Sequence, residues 1–177
     1  MANAKHYIFV SITLGSIAAA SALLIGGANY LTREKIKQNE INSINQGIVA
    51  IFGQSAGIIE QKEIANDNYK YVTYYYAISK EGSTENIGVA YRTTGSNMYG
   101  KISLLVGFNL SNEFVSISVI SDEQTYAQTL TDNYIVPVQD GTRDYNDVSC
   151  GATYGAKLIR DMINDASKAN EAQIWKD

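Results

Sequence analysis

Ile102-Ser103-Leu104-Leu105-Val106-Gly107-Phe108-Asn109-Leu110-Ser111-Asn112-Glu113-Phe114-Val115-Ser116-Ile117-Ser118-Val119 is the stretch that decides the fold class. Ile102, Leu104, Val106 and Phe108 recur at every second position. Val115, Ile117 and Val119 do the same against Ser116 and Ser118. That period is the mark of half-buried strands. Residues 109–112 supply the turn, so the stretch predicts an antiparallel hairpin. Upstream, residues 71–78 are rich in Tyr and β-branched side chains, and Glu81-Gly82-Ser83 reads as a turn. Residues 87–92 predict another strand, and Thr94-Gly95-Ser96-Asn97 another turn. Residues 66–68 are polar and read as loop. Downstream, residues 134–138 predict a short strand, placed at an edge or a strand end by Pro137. The last amphipathic stretch carries Tyr154, Leu158, Ile159, Met162 and Ile163 on one face of a 3.6-residue period. Strands followed by a helix predict an α+β domain, an antiparallel sheet with flanking helices.

The N-terminal part follows different rules. Residues 1–6 form a short tail, and residues 7–31 contain no charged side chain. As a helix this segment reaches roughly 37 Å, more than a hydrocarbon core of about 30 Å. The expectation is a single transmembrane helix, retained in the mature chain. The competing reading is a signal peptide with Lys5 in its leading region and cleavage after Ala28. Gly15, Gly26, Gly27, Ala18, Ala19, Ala20 and Ala22 offer a small-residue surface to another helix. Residues 32–53 predict a stalk helix with Ile36, Ile41, Ile44, Ile48 and Ile51 near one face and Gly53 as its stop. Gly47 interrupts that pattern. Residues 54–177 remain for the globular domain. Lys5 before the span and Arg33, Lys35 and Lys37 after it give only a weak charge asymmetry, which leans towards a cytoplasmic C-terminal side.

Composition narrows the function classes. Of 177 residues, 14 are Lys or Arg and 18 are Asp or Glu, giving a net charge of −4. No extended basic face for nucleic acid is expected. One Cys, Cys150, excludes an internal disulfide and gives no metal-ligand spacing. The single His, His6, lies in the tail. A Ser-His-Asp arrangement or a His-rich metal site in the globular part is therefore excluded. Redox work in such a chain needs a borrowed cofactor.

The candidate site lies at the start of the last helix, in Asp147-Val148-Ser149-Cys150-Gly151-Ala152-Thr153-Tyr154. Ser149 or Cys150 is the predicted N-cap, with Gly151, Ala152 and Thr153 in the first turn. The N–H groups of that turn have no intrahelical partner, and the helix dipole adds partial positive charge. A phosphate fits there, and Gly151 permits its close approach. Asp147 has two open readings. It positions Thr153 or a Mg²⁺ ion during a transfer reaction, or it caps the turn through its side chain. Cys150 is either a buried stand-in for Ser or a thiol made reactive by the helix end.

This motif resembles Asp-x-x-(Ser/Thr)-Gly-Ala-Thr, the flavinylation motif of the FMN-binding subunits of Rnf ion-translocating electron transport complexes and of sodium-pumping NADH:quinone reductase. Asp147, Gly151, Ala152 and Thr153 match. Cys150 replaces Ser or Thr, and Tyr154-Gly155-Ala156 replaces the x-Thr-Ser continuation. Gly95-x-x-x-Tyr99-Gly100-x-Ile102 is similar to the family's lead into its central hairpin. Asp122-Glu123-Gln124-Thr125 falls where the family carries Glu-Thr-Pro-Gly-Leu-Gly. Only Thr125 matches, and Tyr126-Ala127-Gln128 replaces the Pro-Gly-Leu run.

The resemblance implies a membrane-anchored FMN-binding domain. FMN would be joined through a phosphoester to Thr153 by a separate flavin transferase. Ser149, Cys150, Gly151, Ala152, Tyr154, Tyr99 and Thr125 would surround it, and Asp147 would serve the transfer. It also implies an extracytoplasmic domain relaying electrons among the other membrane subunits of an Rnf-like, ion-translocating complex. The alternatives are a stand-alone anchored FMN protein serving extracellular acceptors, and a flavin-free adaptor.

Overall fold

The computed structural model describes residues 2–64 and 68–172. Most of the polar loop expected at residues 66–68 lies outside the described residues. Helix α1 (Ala2–Phe52) runs without a break through both the predicted membrane span and the predicted stalk. The chain divides into two compact units, Met1–Ile41 and Asn42–Asp177. The first is a helix with its described apolar side chains exposed. Leu14, Leu23 and Leu24 are each more than two-thirds accessible. It is a long apolar N-terminal helix, long and apolar enough for a membrane anchor or a signal segment.

The second unit is α+β. Strands β1 (Ala56–Glu63), β2 (Val72–Lys80), β3 (Asn86–Asn97), β4 (Gly100–Asn109) and β5 (Phe114–Asp122) form one antiparallel sheet in chain order. Helices cover both faces. On one face, Ile44, Ile48 and Ile51 from the end of α1 pack on Tyr76, Ile78, Ala90 and Leu105. On the other, α4 (Thr153–Glu171) lays Leu158, Ile159, Met162 and Ile163 on Tyr91, Leu104, Val106 and their neighbours. This sandwich explains the unbroken apolar run of β2. Tyr74, Tyr76 and Ile78 face α1, while Tyr75 and Ala77 face α4. A strand buried on both sides need not alternate.

Glycines set the helix–sheet spacing. A Cβ on Gly47 would come 2.7 Å from Leu105 Cδ1, and one on Gly107 would come 2.4 Å from Ile51 Cγ2. Gly47 is thus the residue that lets α1 lie against the sheet, although it weakens the helix in isolation. Gly53, with φ +99°, ends α1 as expected, its N–H bonded to Val49 O at 2.9 Å.

Several sequence expectations need correction. Residues 134–138 are not a strand. Leu130, Tyr134, Ile135 and Val138 are buried along a helical path made of α2 (Ala127–Leu130), a π-helical turn (Thr131–Ile135) and α3 (Val136–Gln139). Pro137 sits in the first turn of α3, directly after the π-helical turn. Thr94-Gly95-Ser96-Asn97 is not a turn but the end of β3. Gly95 is small because α4 crosses it, and a Cβ there would be 2.8 Å from Leu158 Cδ1. Strand β1 had no clear signal, since most of it is exposed at the sheet edge. Ile36 and Ile41 are exposed, so the packed stripe of α1 begins at Ile44. Tyr154 is also exposed and lies off the buried face of α4.

Candidate functional site

The segment before α4 is held by backbone bonds rather than by a conventional cap. Asn133 Nδ2 donates to Cys150 O (3.3 Å). The Arg143 guanidinium donates to Asn133 O (2.6 Å) and Ser149 O (3.1 Å) and pairs with Asp147 Oδ2 (3.3 Å). Asp147 Oδ1 accepts the Ser149 N–H (3.2 Å), a side-chain-closed turn. Of the two readings of Asp147, this bond supplies the capping one. Cys150 is buried in the core cluster under the sheet's α4 side.

The helix starts later than the sequence predicts. Gly151 takes φ +81°, which a helical residue cannot, so neither Ser149 nor Cys150 is the N-cap. Ala152 is the N-cap, and Thr153 is the first helical residue. The bond from Ala156 N–H to Ala152 O (3.1 Å) is the first of the helix. The N–H groups of Thr153, Tyr154 and Gly155 therefore have no acceptor within it. No side chain caps them, and the first turn carries no acid. Ala is among the poorest N-caps, costing about 1 kcal/mol against Ser or Asp.

The first turn of α4 borders a cleft. It is lined by Tyr99, Gln124, Tyr126, Leu130, Gly151, Ala152, Thr153, Tyr154 and Gly155. Its volume is about 60 Å³, room for a few water molecules. Its aromatic wall is made by Tyr99, whose ring centre lies 5.7 Å from Tyr154 and 5.5 Å from Tyr126. Two of these rings are more than half exposed, Tyr126 at 54% and Tyr154 at 59%. Exposed rings at a cleft mouth are available for stacking. By contrast Tyr75, Tyr76 and Tyr91 are core residues.

Local bonds fix the tyrosine wall. Asn97 Oδ1 accepts the Tyr99 N–H (2.8 Å), while Asn97 Nδ2 donates to Tyr154 O (3.2 Å). The β3–β4 turn is thereby tied to the start of α4. Gly155 fits because a Cβ there would be 2.7 Å from Leu130 Cδ2, so α4 lies close against α2.

The cleft thus brings together Tyr99, Gly151, Ala152, Thr153 and Tyr154 from the sequence-derived set. Ser149, Cys150, Asp147 and Thr125 do not line it. Thr125 stands behind Tyr99, its N–H (2.8 Å) and Oγ1 (3.1 Å) both donating to Tyr99 O. Gln124, Tyr126, Leu130 and Gly155 are lining residues that the sequence reading did not single out. For Tyr126 a signal existed, an aromatic residue in a loop expected near the cofactor. The role of Leu130 was hidden by reading the following segment as a strand. Compared with models of known protein families and with curated proteins, the chain matches none.

Proposed function

We propose that this chain is a membrane-anchored electron-relay flavoprotein that carries FMN through a phosphoester on Thr153. The observation that carries the reading is the uncapped N-terminus of α4, with Thr153 as its first residue and a tyrosine-walled cleft beside it. The N–H groups of Thr153, Tyr154 and Gly155 and the helix dipole suit a phosphate diester on the Thr153 hydroxyl. Tyr99, Tyr126 and Tyr154 suit a planar ring. Gly151 gives the chain its turn into the helix without a side chain over the site. Bound FMN would supply one- and two-electron transfer, and the protein its attachment and orientation. Asp147 closes the turn over Ser149 and pairs with Arg143, holding the segment that leads to Thr153.

The reading extends to location and partners. The apolar part of α1 anchors the chain, with the residues after it extracytoplasmic and other membrane subunits of an Rnf-like complex as neighbours. Residues 7–31 contain no Asp, Glu, Lys, Arg or His for an ion path, so ion translocation would belong to those subunits. The test of Thr153 is direct. Made with a flavin transferase, the full chain should show a flavin-fluorescent band after denaturation. Mass spectrometry should place the adduct on the Thr153 peptide, and Thr153→Val should lose it while staying folded. An adduct that persists in Thr153→Val refutes the assignment. For orientation, a cysteine at Lys80 should react with a membrane-impermeant reagent in intact cells. Labelling only after lysis reverses the topology.

A further inference from the structure

The cleft beside Thr153 and the group proposed for Thr153 differ in size. At about 60 Å³ the cleft holds a few waters, each about 30 Å³ in the liquid. That is room for a phosphate-sized group. Sites that enclose a small organic ligand run to about 300–1,000 Å³ and bury about 70–90% of its surface. The fused rings of an isoalloxazine do not fit inside.

Bonds and close contacts hold the lining in place. The Tyr99 N–H donates to Asn97 Oδ1 (2.8 Å), and Tyr99 O accepts from the Thr125 N–H (2.8 Å) and Oγ1 (3.1 Å). Asn97 Nδ2 donates to Tyr154 O (3.2 Å), which joins that turn to the helix. Gly155 leaves no slack against α2, since a Cβ there would come 2.7 Å from Leu130 Cδ2. Enlarging the cleft to take the rings would break several of these at once. The flat surface lies outside it. Tyr126 and Tyr154 are more than half exposed, and each packs on Tyr99. Met98, in the turn between β3 and β4, is 78% exposed.

We infer that the isoalloxazine ring of an adduct on Thr153 lies outside the cleft, against the exposed rings of Tyr126 and Tyr154, with its other face open to solvent. This rests on the flavin reading above. The small cleft then serves the phosphate alone, and the ribityl chain carries the ring past its mouth. Stacking on an exposed tyrosine needs no cavity, only a free aromatic face. The open face leaves the ring within reach of a redox carrier that docks on this surface.

The test uses the full chain in detergent, treated with flavin transferase, with the Thr153 adduct checked by mass spectrometry. Iodide quenching of flavin fluorescence reads how much of the ring a soluble ion reaches, and high salt removes the bias of protein charge. A ring open on one face should be quenched about half as strongly as free FMN, whereas an enclosed ring would be quenched about three- to tenfold less than free FMN. A stacked tyrosine itself quenches flavin emission. The double variant Tyr126→Leu, Tyr154→Leu should therefore brighten the adduct severalfold while its far-UV circular dichroism stays unchanged, as both side chains are largely exposed. Shielding of the ring from iodide, or an adduct no brighter in the double variant, overturns this inference alone. Absence of any adduct on Thr153 overturns the flavin reading and this inference with it.

Discussion

Gly100→Ala should unsettle the candidate site more than any other single-methyl change. Gly100 has φ +138°, a conformation that costs a residue with a Cβ about 1–3 kcal/mol. The added Cβ would also sit 2.1 Å from Glu123 O, 2.7 Å from Glu123 C and 3.1 Å from Gln124 Cα. These are backbone atoms, so relief requires the 123–125 strap to move, and overpacking of this kind costs a further ~1–3 kcal/mol. The sum is about 2–6 kcal/mol. For a unit of this size each kcal/mol lowers Tm by about 2–5 °C. The same strap carries Gln124, bonded to Gly100 O, and Thr125, bonded to Tyr99 O. The tyrosine wall should shift with it and weaken the near-UV circular dichroism. Gly82→Ala is the control, because Gly82 has φ +77° but open space around the added Cβ, so only the conformational cost applies. Thermal and urea unfolding of the full chain in detergent would compare the two. If Gly100→Ala is no less stable than Gly82→Ala, the strap does not press on Gly100 and the argument is wrong.

Two further outcomes concern pH. Burial raises the Asp122 carboxyl above the ordinary carboxylate range, a shift opposed by the Gln124 N–H. The folded state thus favours the protonated form, and the charge costs stability at neutral pH. Asp122→Asn keeps an acceptor for that N–H, so it should raise the urea midpoint at pH 7. The gain should shrink as pH falls through the raised carboxyl pKa, and a gain independent of pH would refute this. Burial, then the bond to Glu60, raises Tyr75 to about 12, and burial raises Tyr91 and Tyr134 as well. An unfolded Tyr ionises near pH ~10, so the stability these three hold is complete below that value and is lost as pH rises through 12. A urea midpoint unchanged between pH 9 and pH 11.5 would contradict that sign.

What the sequence made legible, and what it hid, divides by the range of the forces involved. The hairpin of β4 and β5 could be read although β4 is buried on both faces, because Ser103 and Gly107 keep most of its α1-facing positions small while Ile102, Leu104, Val106 and Phe108 face α4, so the alternation survives. Its turn was legible too, since Asn109 Oδ1 accepts the N–H groups of Ser111 and Glu113 within a few residues. Glycines were misread wherever their purpose lay on another element. Gly95 looked like a turn and Gly47 like a helix defect, yet each marks a helix crossing the sheet. The segment around Pro137 was misread because Tyr, Ile and Val favour strands locally, while its burial pattern follows a helical path against α4.

The candidate site shows the same division, with one consequence for its chemistry. The motif from Asp147 to Thr153 located the start of the helix but placed its cap two or three residues too early. The usual preference for Ser at an N-cap pointed to Ser149, whereas Gly151 turns the chain and leaves Ala152 in the capping position. Had Ser149 capped α4, its hydroxyl would have satisfied a first-turn N–H, and Thr153 would have stood inside the helix. With Ala152 there, the donors remain open and Thr153 is the first residue beside them. The start of α4 is thus left with a poor cap beside Tyr99, Tyr126 and Tyr154, where Ser at position 152 would stabilise the free helix by about 1 kcal/mol.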